Sequence, residues 1–148
     1  MWAYIFLSSY RFWREADYPY TGSDDQCKND GVTGITTISS YGRTQGTSAH
    51  LARLAQQPIN MAVNAANDVF RTYSSGIITA SSGCPTADAD HAVLAVGYGT
   101  DSASGLDYWL VKNSWNTTWG DQGYIKIAIV DGDGICGVQM DPQTVQTN

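Results

Sequence analysis

Asp90-His91-Ala92-Val93-Leu94-Ala95-Val96-Gly97-Tyr98 and, one turn later, Tyr108-Trp109-Leu110-Val111-Lys112-Asn113 are the two runs that decide the fold of this chain. Both are rich in β-branched and aromatic residues and are bounded by Gly, Ser and Asp, the pattern of strands closed by turns. Successive side chains on a strand point to opposite faces, so His91 stands on the same side as Val93 and Ala95. Working outward, Ile59–Asn64 on one flank and Gly123–Val130 on the other read the same way, and Asp107 extends the second run to Asp107–Asn113. Sequential strands with short or medium connections usually pair antiparallel, so the second half predicts a mostly antiparallel sheet or barrel.

The first third reads differently. Leu51, Leu54 and Ala55 recur at helical spacing, Thr47 or Ser48 offers a side-chain oxygen to cap the start, and Pro58 ends the run, which predicts a helix of about three turns at most. The apolar residues from Trp2 to Leu7 predict a short buried helix, Tyr18-Pro19-Tyr20-Thr21-Gly22 a turn, and residues 23–34 a loop. Met1–Leu7 has no basic segment before it and is followed by Arg11 and Arg14, so no signal peptide is expected in this chain.

Composition excludes several classes of function. With 43% hydrophobic and 15% charged residues, the 148-residue chain is able to bury one core, which allows one domain or parts of two. Fourteen acidic against eight basic residues give a net charge of -6, opposite in sign to the basic surface that nucleic acids require, so no nucleic-acid partner is expected. No apolar run reaches the ~18 residues of a membrane-spanning helix, and no membrane partner is expected.

A lone histidine among apolar strand residues is usually a hydrogen-bonded core or rim residue. His91 has company, because Asn113 closes a second strand and is followed at once by Ser114-Trp115. A carboxamide oxygen that accepts from one ring nitrogen of a histidine fixes its tautomer and orientation, leaving the other nitrogen for a nucleophile, and a flanking indole shields that bond from water.

These stretches, together with Gly97-Tyr98-Gly99, Trp119-Gly120 and Gly123-Tyr124, closely resemble the histidine and asparagine regions of papain-like cysteine proteases. Tyr18-Pro19-Tyr20, Gln57-Pro58-Ile59 with Ala62-Val63, and Gly134-Ile135-Cys136-Gly137 fit the same family in the same order, so the resemblance runs from about residue 15 to 141. It implies an α+β papain-like cysteine proteinase fold: residues 1–43 as a remnant of the helical left domain and crossover, and residues 44–148 as the antiparallel, barrel-like right domain. It further implies that His91 and Asn113 are catalytic, that Trp115 covers them, and that Trp119 walls the leaving-group side. Ala62, Asp90, Ala92 and Asp141 match substrate-binding positions; Asp141, near the base of the main pocket, is expected to admit arginine or lysine as well as leucine or phenylalanine. Asp90 is also expected to raise the basicity of the imidazole.

By the same resemblance Cys84 and Cys136 form a disulfide, and Cys27 is a structural cysteine whose partner lies upstream. The family's nucleophilic cysteine and oxyanion-hole glutamine are expected upstream of Met1. Cys27 does not suit the nucleophile's role, since Asp24, Asp25 and Asp30 beside it disfavour a thiolate. The implied activity is cysteine-type endopeptidase, in a chain inactive by itself, with protein or peptide substrates, cystatin-like inhibitors and the missing N-terminal half as partners. The implied setting is lysosomal, vacuolar or extracellular, with no cofactor and no metal. The alternative is a non-catalytic papain-like module that binds proteins or peptides; a carbohydrate binder, prompted by five Trp and nine Tyr, fits the ordered motifs less well. Two departures stand out: Ser8–Arg14 replaces a glycine-containing turn, and Asn116 stands where the family has glycine, creating the glycosylation triplet Asn116-Thr117-Thr118.

Overall fold

The structure is a computed structural model that describes residues 2–26 and 34–148. They form two compact units: the segment up to Gly42 with Val145–Asn148, and Arg43–Thr144.

The first unit holds α1 (Trp2–Ser9) and most of β1 (Ile38–Arg43). Helix α1 forms where the apolar run predicts it, but it is not buried: Ile5 and Phe6 are each 42% exposed. Ser8–Arg14 carries the end of this helix, with the Tyr10 N–H donating to the Phe6 carbonyl, before Phe12 bridges to Thr36. Cys27 and the loop residues 27–33 lie outside the described residues.

The second unit is built around a sheet whose strands run in the order β7, β2, β4, β5, β6, β3, where β2 is Ile59–Val63, β3 Ile77–Ile78, β4 His91–Thr100, β5 Asp107–Lys112, β6 Tyr124–Ala128 and β7 Gln143–Thr147, of which Gln143 and Thr144 belong to this unit. The four strands predicted after Pro58 are present, and all their mutual pairings are antiparallel. The exception to the predicted pattern is β3, which runs parallel to β6. Alternation follows from burial on one face: Ile59, Met61 and Val63 on β2, Val93 and Ala95 on β4, Trp109 and Val111 on β5, and Ile125 and Ile127 on β6 all point into one core. Burying each of the larger aliphatic side chains contributes about 1.5–3 kcal/mol.

Helix α2 (Thr47–Leu54) adds His50 and Leu54 to the buried residues. Its N-cap is Gly46, not Thr47 or Ser48, and no side chain caps it. Thr47 Oγ1 accepts instead from Gln139 Nε2, whose partner oxygen Oε1 takes the indole N–H of the fully buried Trp109. A further turn of helix, α3 (Asp68–Arg71), is capped by Asn67, which accepts from the Phe70 N–H. Cys84 and Cys136 are disulfide-bonded. Gly137 next to that bond has φ +72° and a Cβ there would lie 2.6 Å from the Thr86 carbonyl oxygen, which is why Gly follows Cys136. Among the described residues no helix is long and apolar enough to cross a membrane.

Candidate active site

Strand register brings His91 and Asn113 together. Leu94 pairs with Lys112, so the next residue, Asn113, falls opposite Val93 and becomes the diagonal same-face neighbour of His91. The His91 Nε2 to Asn113 Oδ1 distance is 2.8 Å. The Ser114 backbone N–H also donates to Asn113 Oδ1, at 2.7 Å, and a backbone N–H needs an acceptor, so this atom is the amide oxygen. His91 therefore carries its proton on Nε2, and Nδ1 is left to exchange a proton with another group. The Asn113 N–H donates to the Gly123 carbonyl, which anchors the residue from the neighbouring strand. Asn113 is buried, and its Nδ2 has no partner among the described residues.

An aromatic group surrounds this pair. Trp115 stacks on the imidazole with centroids 4.9 Å apart, Phe70 meets His91 edge-on at 6.3 Å, and Trp119 meets Trp115 edge-on at 5.4 Å. Trp119 is oriented by its indole N–H, which donates to the Arg71 carbonyl at 3.0 Å. Beneath it, Tyr73 donates to the Gly76 carbonyl, accepts from the Lys126 N–H, and has its pKa raised, first by burial. Gly120, at φ +62°, lets the chain turn beside Tyr73; a Cβ there would lie 2.5 Å from the Tyr124 carbonyl oxygen. Phe70, Tyr73 and the Asn67 cap escaped the sequence reading. The Asn67-Asp68 start of a helical turn was the available signal.

Asp90 acts on the backbone. Its two carboxylate oxygens accept from the Ala65 and Ala66 N–H groups, at 2.8 and 3.1 Å, and its own N–H donates to the Val63 carbonyl. These bonds pin the start of the strand that His91 begins. Asp90→Ala is expected to lower unfolding stability by about 1–2 kcal/mol, measurable as a shift in the urea midpoint.

Ala62 and Ala92 are direct cross-strand partners. Asn60 pairs with Gln143, two residues after Asp141. Asp141 is not a free carboxylate: Arg43 Nε lies 2.8 Å from Oδ1, and Gln143 Nε2 donates to Oδ2. A shallow concavity of about 350 Å³ is lined by Asn60, Ala92, Leu94, Lys112, Asn113 and Ser114. Among the described residues no group of three or more His, Cys, Asp or Glu side chains is placed to hold a metal ion.

Residues 1–146 match the family model described as papain family cysteine protease. The chain is 44% identical over 117 residues to cathepsin L of Sarcophaga peregrina, covering 77% of this chain and 34% of that protein. It is 40% identical over 139 residues to a cathepsin L-like proteinase of Fasciola hepatica, covering 92% and 41%. Among solved structures, bromelain protease from Ananas comosus in complex with the E64 inhibitor superposes with a TM-score of 0.88 at 38% identity, over 97% of this chain and 67% of that one. The chain thus spans well under half the length of these curated relatives. With the sheet, the His91–Asn113 pair and the Cys84–Cys136 bond in place, the match over residues 1–146 shows that the chain belongs to the papain family of cysteine proteases.

Proposed function

We propose that the chain supplies the acid–base half of a cysteine-type endopeptidase. The observation that carries this reading is the His91–Asn113 hydrogen bond, oriented by the Ser114 N–H so that Nδ1 is left for a thiol. In the reaction a thiolate attacks the scissile carbonyl, the imidazolium protonates the leaving amine from Nδ1, and water then hydrolyses the thioester with the same nitrogen as base. Trp115 keeps water from the His91–Asn113 bond, and Trp119 walls the leaving-group side.

The nucleophile comes from polypeptide that the chain itself does not contain, the N-terminal half of the enzyme. Cys84 and Cys136 are bonded to each other, and Cys27 is flanked by Asp24, Asp25 and Asp30, so the 148-residue chain alone is inactive. The buried, unpartnered Asn113 Nδ2 supports completion of the site by further polypeptide, since an orphaned buried donor costs about 1–3 kcal/mol. Substrates are proteins or peptides, cystatin-like inhibitors compete for the same cleft, and the setting is lysosomal, vacuolar or extracellular, in keeping with the disulfide.

The test joins this chain to the upstream half of Sarcophaga peregrina cathepsin L. Peptide-amide hydrolysis and labelling by a thiol-directed epoxide support the reading; a folded hybrid that does neither refutes it and leaves the second one. That second reading, a non-catalytic peptide-binding module, is favoured by the pairing of the two described cysteines.

In an active hybrid, Asp141 lets the main pocket accept arginine or lysine beside leucine or phenylalanine. Its ion pair with Arg43 is partly exposed and so is worth at most about 1 kcal/mol, which sets the scale of the effect. Arg43→Ala is expected to raise the ratio of arginine to leucine substrates by a few-fold, and Asp141→Ala to lower it. Equal ratios in all three forms would remove Asp141 from the pocket.

A further inference from the structure

Asn116 occupies the turn that follows Trp115, with φ +71°, a left-handed conformation that Gly and then Asn adopt most readily. The turn explains an asparagine there but not the threonine two residues on. Asn116-Thr117-Thr118 is the one Asn-x-Ser/Thr triplet in the sequence, and all three residues are exposed. Among the described residues the Asn116 side chain uses only Oδ1 in hydrogen bonds, accepting from the Thr117 N–H at 2.6 Å and from Thr117 Oγ1 at 3.2 Å, which leaves the amide nitrogen Nδ2 uncommitted there. The disulfide between Cys84 and Cys136 belongs to a chain that matures in an oxidising compartment, where the glycosylation machinery also resides.

We infer that Asn116 is an N-glycosylation site, modified as the chain enters the secretory route. Asn116 Nδ2 attacks C1 of the reducing-end sugar of a lipid-pyrophosphate-linked oligosaccharide. The C–N bond forms, the bond from C1 to the pyrophosphate oxygen breaks, lipid pyrophosphate leaves, and one amide proton passes to a base of the transferase. No electrons change hands. The resulting oligosaccharide grows from the exposed residue directly after the indole that stacks on His91.

The test is translation of the full chain behind a cleavable leader in the presence of microsomes, scoring only the protease-protected product. Expected is a one-glycan mobility shift, reversed by peptide N-glycosidase and accompanied by conversion of Asn116 to aspartate in the released peptide. Asn116→Gly, which keeps the left-handed turn, and Thr118→Ala, which keeps Asn116, are both expected to abolish the shift. A protected wild-type chain without a shift, or a shift that survives either substitution, overturns the assignment.

Discussion

His91→Ala, made in the hybrid that carries a nucleophile, is expected to lower kcat/KM for a peptide amide by about 10²- to 10⁴-fold, or ~3–5 kcal/mol of transition-state stabilisation. The imidazole has two tasks: as a cation it stabilises the thiolate, and as an acid it protonates the amine that leaves. Alanine removes both, so the loss belongs in kcat as well as kcat/KM. Epoxide labelling should slow in parallel, because the thiol then returns to its ordinary, mostly protonated state near neutral pH. His91 is only half-buried and contributes one side-chain hydrogen bond, so the unfolding midpoint should move little, which separates a chemical loss from misfolding. Asn113→Ala should be less damaging to the chemistry, since Trp115 still stacks on the ring. Hydrolysis by His91→Ala at the parent rate would end the proposal.

The second large effect is on stability. Removing the Cys84–Cys136 bond by the double substitution to alanine is expected to cost about 4 kcal/mol, from the chain entropy restored to an unfolded loop with a sequence separation of 52. Domains of this size are stable by only about 5–15 kcal/mol, so the loss is a large share of the total. Alanine is the better probe because Cys136 is fully buried, and a serine there would add an unpaired hydroxyl to the deficit. Urea unfolding of the two forms checks the figure; a difference under about 1 kcal/mol would show that the unfolded chain is constrained by something other than this bond.

Much of the sheet was legible because its signal is local. Val93, Ala95, Trp109, Val111, Ile125 and Ile127 alternate with outward-facing residues, and that period survives into the structure. The proximity of His91 and Asn113 was legible for the same reason, as antiparallel neighbours joined by one turn have few registers open to them. What stayed hidden depends on partners far apart in the chain. Gln143 pairs with the distant Asn60, and Arg43 meets Asp141 across 98 residues. Thr47 was read as a helix cap from its hydroxyl; that hydroxyl instead serves Gln139, 92 residues away, whose other end holds the Trp109 indole. The apolar spacing from Trp2 to Leu7 predicts a buried helix α1, but that spacing does not say against what such a face packs. Adjacency to His91 does not say where the Asp90 carboxylate points; the Ala65 and Ala66 N–H groups decide that.

The covalent bond between Cys84 and Cys136 also has a topological consequence. His91 lies between Cys84 and the exposed Ser102–Leu106 hairpin tip, and Asn113 lies between that tip and Cys136. A single peptide-bond cut in the tip therefore yields two fragments that remain one molecule, each holding one member of the hydrogen-bonded pair, with the β4–β5 ladder still closing the distance. In surroundings crowded with peptidases, a nicked copy would migrate as two pieces only after reduction and would keep the imidazole and the carboxamide side by side until then.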